Sequence, residues 1–448
     1  MTWELFASIF FSIVLLLFLV LRLRLNAFLA LLVASIGFGL TAGLPLAEII
    51  SNITSGMGNT LGFVATIVGL GAILGAVLEH SGGSQALAQF LLTKLGEKRA
   101  SLAFVLTGFL VAIPVFFDVA FVLLVPLIYA LGRRTKRSLL FFAIPLLAGL
   151  ATTHAFIPPT PGPIAVADIL KAELSWVIML GFCVGIPTVI VAGLWWGKQA
   201  GQRFLIEAPA LESNDHENVD LPPIRLILLL ILLPILLILA NTLTDMLVKA
   251  DVWRQSILTD SALFLGHPYV ALLISCLLAL YYLGTKRGLN SQQLQQLATK
   301  ALAPAGAIIL ITGAGGVYKQ MLVQSGAGAA LAEVFLQFQL LPPLLAFLLA
   351  ALIRILQGSA TVAMITAAGL LAPALPALGL SAPQTALLVL GIAAGASTLS
   401  HVNDSGFWLV KEYLHMDEAT TLRTWSVMTV LLSLTALLMV MILYPLVG

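Results

Sequence analysis

The chain has 448 residues, of which 60% are hydrophobic and only 9% charged, with a formal net charge of +2 and a mean hydropathy of +1.07. A soluble domain carries nearer a quarter charged residues and needs them to cover its surface. The composition excludes a water-soluble enzyme, and the lack of a basic cluster excludes a nucleic-acid partner. The expected solvent is a lipid bilayer.

Apolar stretches of membrane-helix length fall at 3–21, 25–44, 60–80, 102–131, 139–166, 175–196, 224–243, 264–283, 302–322, 342–375, 384–409 and 425–446. Glu4 precedes the first run and no small-residue cleavage site follows it, so 3–21 is expected as a retained helix. Cys183 and Cys276 lie inside apolar runs and read as small core residues, not as a disulfide or metal pair.

Two stretches are interrupted near their middles. In 102–131 the interruption is Ile113-Pro114-Val115-Phe116-Phe117-Asp118, and in 342–375 it is Gln357-Gly358-Ser359-Ala360-Thr361. Irregular backbone at membrane depth is tolerated only where protein or a watery cavity satisfies it, which suits the tip of a re-entrant hairpin. Lys94, Lys98 and Arg99 precede the first stretch and Arg133, Arg134, Lys136 and Arg137 follow it, so both its ends are expected in the cytoplasm. The flanks 337–343 and 371–383 of the second carry no charge, so both its ends are expected in the periplasm. The loop 197–223 then lies inside, its acidic run from Glu207 to Asp220 reading as a solvated linker. This gives about ten crossings, two re-entrant hairpins and both termini periplasmic.

Gly69, Gly71, Leu78, Ser81, Gly82, Ala86, Leu87 and Ala88 recur 244 positions later as Gly313, Gly315, Leu322, Ser325, Gly326, Ala330, Leu331 and Ala332. Each copy is followed by an amphipathic segment, a hairpin and a broken helix (139–166 or 384–409). Opposite charge flanks make the copies an inverted repeat, 1–196 and 224–448 joined by 197–223, with a binding site expected where the interrupted elements meet.

The first helix break runs from His154 to Pro163, with four prolines among 158–163. Each proline removes a donor and clashes one turn back, so a new half-helix N-terminus faces the break and suits a carboxylate; an ordinary kink is the plainer reading. The second break, His401-Val402-Asn403-Asp404-Ser405-Gly406, places a carboxylate, an amide and a hydroxyl within an apolar run. An intramembrane Asp is a functional candidate, although Asp404 also suits a helix cap. Asp118 reads either as a proton carrier or as a partner for turn backbone. His154 and His401, at equivalent places in the two breaks, are relay candidates or satisfied core groups. Gly358 allows close approach, and Ser359 and Thr361 offer hydroxyls. Arg354 has three readings: it attracts an anion, pairs with a carboxylate, or snorkels. Lys319, near a helix end, is expected to snorkel. No metal cluster, phosphate-binding loop or nucleophile elbow is present in the sequence, so energy is expected from an ion gradient without a bound cofactor.

At Gly62-Phe63, 114–118, 153–163, 313–320, 354–363 and 400–408 the chain resembles the gluconate permease (gluconate:proton symporter) family of the ion-transporter superfamily, over essentially its whole length. The resemblance implies an all-α inner-membrane transporter with a dimerising scaffold and a transport domain that moves like an elevator. It implies proton-coupled uptake of gluconate or a related sugar acid, with threonate, glycerate or D-serine as alternatives. Sodium is the alternative coupling ion, and a channel or a membrane-embedded enzyme are the alternative classes. Many members carry Glu where Asp118 stands and His where Thr160 stands. The expected substrate-binding residues are Phe117, His154, Pro159, Thr160, Gly162, Arg354, Gly358, Ser359, Ala360, Thr361, His401, Asn403 and Ser405. Asp118, Asp404, His154 and His401 are the expected proton-coupling groups. The expected partners are an anionic small molecule, the bilayer and a second copy of the chain.

Overall fold

In lipid, backbone N–H and C=O groups must be satisfied within their own segment, so long uncharged runs become helices. A computed structural model describes residues 3–209, 221–249, 252–327, 341–402 and 404–447, and these contain helices but no strand. Eight helical stretches among them are long and apolar enough to cross a membrane. Large apolar side chains such as Phe10, Ile50, Ile190, Leu236 and Leu438 face outward, a surface suited to lipid. The chain is a multi-pass membrane protein.

The first half comprises α1 (Trp3–Leu21), α2 (Ala27–Thr41), α3 (Leu46–His80), α4 (Gly83–Leu95), α5 (Ala100–Val111), α6 (Phe117–Thr135), α7 (Leu140–Phe156), α8 (Pro161–Leu170) and α9 (Leu174–Thr188). α9 runs on through the wider turns of Val189–Trp195 into α10 (Trp196–Arg203). The second half comprises α11 (Ile224–Lys249), α12 (Ile257–Leu265), α13 (Pro268–Ala279), α14 (Ser291–Gln324), α15 (Pro342–Gln357), α16 (Ala360–Leu371), α17 (Ala382–Ala396), α18 (Ser405–Tyr413) and α19 (Val427–Leu443). Helix α3 starts well before the apolar stretch at 60–80, because its polar first half is still helical. Helix α14 likewise starts before 302, where Asn290 and Gln293 form a reciprocal cap.

Helices α3 and α14, 35 and 34 residues long, end alike at positions 244 apart. Ser81 and Ser325 each turn a hydroxyl back to the preceding turn, and Gly82 and Gly326 both take positive φ. The repeated Ala330, Leu331 and Ala332, residues 210–220 of the acidic linker, and Asn403 lie outside the described residues. The pairing of α1 with α2 recurs in α11 with α13, and that of α2 with α14 in α13 with α3.

Glycines set the close crossings. Where α3 crosses α14, a Cβ on Gly56 would lie 2.7 Å from the Cα of Val317. In the crossing of α5 with α7, a Cβ on Gly149 would lie 2.4 Å from the Val105 carbonyl oxygen. In the crossing of α15 with α17, one on Gly395 would lie 2.2 Å from the Phe347 carbonyl oxygen. Small residues let backbones approach where no water drives helices together. Helices α7 and α17 are buried almost all round and form the centre of the bundle.

Two expectations are corrected. Cys276 is buried, but Cys183 is exposed, because it lies on the face of α9 that turns outward. Lys319 does not snorkel: its ammonium donates to the Ile169 carbonyl at the C-terminal end of α8, where the helix leaves carbonyls unpaired and the dipole favours a cation.

Gly149→Val is expected to lower stability by about 1–3 kcal/mol through overpacking. Gly58→Ala, where an added Cβ meets nothing within 4 Å, is expected to be at least as stable as the parent. Thermal melts in detergent, followed by size-exclusion chromatography, check both.

Candidate functional site

The four interruptions appear where the sequence puts them. Helix α5 ends at Val111 and α6 begins at Phe117; α7 ends at Phe156 and α8 begins at Pro161. Helix α15 ends at Gln357 and α16 begins at Ala360; α17 ends at Ala396 and α18 begins at Ser405. Each is a local consequence of its residues. Pro158, Pro159, Pro161 and Pro163 cannot continue α7, and the Pro158–Pro159 bond is cis. Gly358, with φ of +86°, ends α15 in the left-handed region that glycine enters without strain.

The four helices that begin at these interruptions all point their first turns at one cavity of about 560 Å³. Phe117 and Asp118 come from α6, Gly162 from α8, Ser359, Ala360 and Thr361 from α16, and Ser405 and Gly406 from α18. His154, Arg354, Gly358 and Asp404 complete the polar wall. Of the expected site residues, the cavity thus gathers Phe117, Asp118, His154, Gly162, Arg354, Gly358, Ser359, Ala360, Thr361, Asp404 and Ser405. Pro159 and Thr160 do not line it. They face a small void between the first interruption and α3, and the Thr160 hydroxyl donates to the Ile157 carbonyl at 2.7 Å. His401 is also outside its wall, with Nε2 3.0 Å from the Ile355 carbonyl.

The free donors differ among the four N-termini. Helix α6 has no side-chain cap, so its first N–H groups face the cavity without intrahelical acceptors. In α16 the Ser359 hydroxyl accepts from Val362 N at 3.4 Å, leaving the N–H groups of Ala360 and Thr361. In α8, Pro161 and Pro163 have no N–H, so Gly162 supplies the one available. A Cβ on Gly162 would lie 2.8 Å from Met364 Sδ, which keeps this N-terminus close to α16. In α18, Asp404 Oδ1 accepts from Gly406 N at 3.1 Å.

Arg354 is 4% exposed. It donates to the Gly358 carbonyl and to Asp404 Oδ2, so it neither snorkels nor presents a free charge. Ser400 Oγ also donates to Asp404 Oδ2, and Trp425 Nε1 donates to Ser400 Oγ at 2.6 Å. Ser400 N donates to Thr429 Oγ1 at 3.0 Å. This network ties α15, the second break and the start of α19 together. By contrast the Asp118 carboxylate, open to the cavity, makes no hydrogen bond or ion pair among the described residues. His154 Nδ1 is buried and has no hydrogen-bond partner among the described residues, and the imidazole lies 6.5 Å from the Phe116 ring, centroid to centroid.

Sequence reasoning missed Gln357, Ser397, Trp425, Thr429, Met364 and Ile308, which also line the cavity. Gln357 and Ser397 are polar residues at the very ends of α15 and α17, a signal available in the sequence. Trp425, Thr429 and Ile308 enter from α14 and from the segment leading through α19, and only packing brings them there.

Removing one partner of the buried pair leaves an uncompensated charge. Arg354→Met and Asp404→Asn are each expected to cost about 3–5 kcal/mol. The double variant Arg354→Met/Asp404→Leu should cost less than the sum of the corresponding single changes. A double-mutant cycle on thermal stability in detergent checks this.

The chain matches the model of the GntP family permeases over residues 4–447. It is 40% identical over 440 residues to a low-affinity gluconate transporter of Escherichia coli, covering 97% of each chain. It is 39% identical to a gluconate permease of Pseudomonas aeruginosa, covering 96% of each. It is 37% identical to one of Bacillus subtilis, covering 95% of this chain and 96% of that one. Among solved structures, the YdaH transporter of Alcanivorax borkumensis superposes with a TM-score of 0.66 at 16% identity over 90% of both chains. MtrF of Neisseria gonorrhoeae superposes with a TM-score of 0.62 at 17% identity over 90% of this chain and 86% of that one. These likenesses concern the fold. Apolar helices of spanning length, interrupted helices meeting at one cavity, and relatives that are transporters rather than enzymes lead to one assignment: the chain belongs to the GntP family of permeases.

Proposed function

We propose that this permease takes up gluconate or a closely related sugar acid across a bacterial inner membrane by proton symport. The observation that carries the reading is the meeting of four half-helix N-termini and one unpaired carboxylate at a single cavity. The relatives named as gluconate transporters supply the substrate class.

In this reading the solute's carboxylate sits at the free N–H groups of α6 and α16, where partial positive charge is fixed by the backbone. Ser359, Thr361, Gln357, Ser397 and Ser405 receive its hydroxyls. Arg354 and Asp404 neutralise each other and act as structure. That leaves Asp118 as the formal charge opposite an anionic solute. Two carboxylates in a cavity of low dielectric repel strongly, and a proton on Asp118 removes the repulsion. Binding the anion therefore favours binding the proton, and by linkage the converse. His154, with its unpartnered nitrogen, is placed to share that proton.

The remaining elements fit the same scheme. Segments 102–131 and 342–375 act as re-entrant hairpins, the two halves are inverted repeats, and both termini lie in the periplasm. A dimerising scaffold holds a transport core of hairpins and broken helices that carries the loaded site from one face to the other. A proton gradient, rather than a bound cofactor, supplies the energy.

Counterflow of labelled gluconate in proteoliposomes, with competition by threonate, glycerate and D-serine, tests the substrate. No exchange with gluconate would overturn that assignment. Uptake at fixed pH with and without sodium distinguishes the coupling ions. Asp118→Asn is expected to retain counterflow within a few-fold but to lose accumulation driven by a pH gradient. If it still accumulates gluconate against its gradient with wild-type pH dependence, Asp118 does not carry the proton.

A further inference from the structure

A second cavity, of about 270 Å³, lies between α3, α14 and the first interruption. Gly75 lets the interruption settle onto α3 beside it: a Cβ there would lie 2.1 Å from the Pro114 carbonyl oxygen. The wall carries Glu79 and His80 from the last turn of α3 and Lys300 from α14. Phe116 lines this cavity and the solute cavity alike. Phe116 is thus common to the wall of the space that holds Asp118 and His154 and to that of an annex that holds a further carboxylate.

Glu79 is half-buried, and its carboxylate forms no ion pair or hydrogen bond among the described residues. The other titratable groups of the annex are His80, on the same helix, and Lys300, facing from α14; the first interruption contributes none. A carboxylate within a membrane bundle costs free energy, and no salt bridge with Lys300 offsets it here. His80, on the annex wall, is exposed and lies at the end of α3 that the proposed topology places in the cytoplasm.

We propose that Glu79 is a second proton-handling group of the transport cycle. Asp118 gives up its proton past Phe116 through water in the annex. The Glu79 carboxylate accepts it and then releases it to bulk water at the His80 end. One O–H bond breaks and one forms at each transfer, and nothing else is consumed. The inference rests on the proton-symport reading.

The test compares two assays on the full-length protein in proteoliposomes. Counterflow of labelled gluconate exchanges solute without proton release, whereas accumulation under an imposed pH gradient requires it. Glu79→Gln is expected to slow gradient-driven uptake by about tenfold or more, as loss of a positioned proton acceptor does, with counterflow within twofold of wild type. Glu79→Asp should restore most of the lost rate, with an altered pH profile. A Glu79→Gln protein with wild-type gradient-driven uptake overturns the proposal, as does one that loses counterflow equally. Wild-type protein that shows counterflow but no response to a pH gradient overturns the symport reading itself, which separates the two failures.

Discussion

A helix interrupted in the middle of a membrane leaves backbone donors and acceptors that lipid cannot satisfy, and the centre of this structure is organised around that constraint. Each interruption is answered by another part of the chain. Thr153 Oγ1 donates to the Phe109 carbonyl at 2.9 Å, linking the first break to the end of α5. Arg354 serves the Gly358 carbonyl and Asp404 together, and Thr429 holds Ser400 N. What stays unanswered is the set of first-turn N–H groups that face the cavity. Such groups are tolerable where water or a solute meets them, which makes the cavity a consequence of the breaks and not an accident of packing.

Holding four breaks at one place requires short distances between helices, and glycine provides them. The crossing at Gly56 and Gly316 brings the two longest helices together, and Gly108 with Gly149 does the same for α5 and α7. Gly391 and Gly395 repeat the device between α17 and α15. Without a hydrophobic driving force between helices in lipid, this contact area is the main source of cohesion. It also explains why α7 and α17, the helices that lead into the breaks, are enclosed along most of their length.

Charge is divided within the cavity in a way that residue types alone leave open. Three ionisable side chains other than His154 line it: Asp118, Arg354 and Asp404. Burying Arg354 against Asp404 cancels two of them and makes the pair a structural tie, with Ser400 and Trp425 completing the second carboxylate's surroundings. The remaining carboxylate, that of Asp118, has no partner among the described residues. The asymmetry follows from geometry: Asp404 lies at the start of α18 beside the end of α15, and Asp118 opens directly to the cavity.

Hydropathy, proline and glycine are local signals, and they determined much of this protein. The apolar runs named the helices, and Pro158 to Pro163 and Gly358 marked where two of them stop, because a missing N–H or a positive φ acts within one turn of its own residue. The 244-residue spacing marks paired elements without reference to any contact. Side-chain direction is different, since it depends on how far each helix is rotated against its neighbours. That rotation turned Thr160 and His401 away from the cavity, brought in Trp425, Thr429 and Ile308, faced Cys183 outward and sent Lys319 to the end of α8. It also chose which of the three readings of Arg354 holds. Only the tertiary structure decided these, because each rests on contacts between residues distant in sequence, whose energies no single segment encodes.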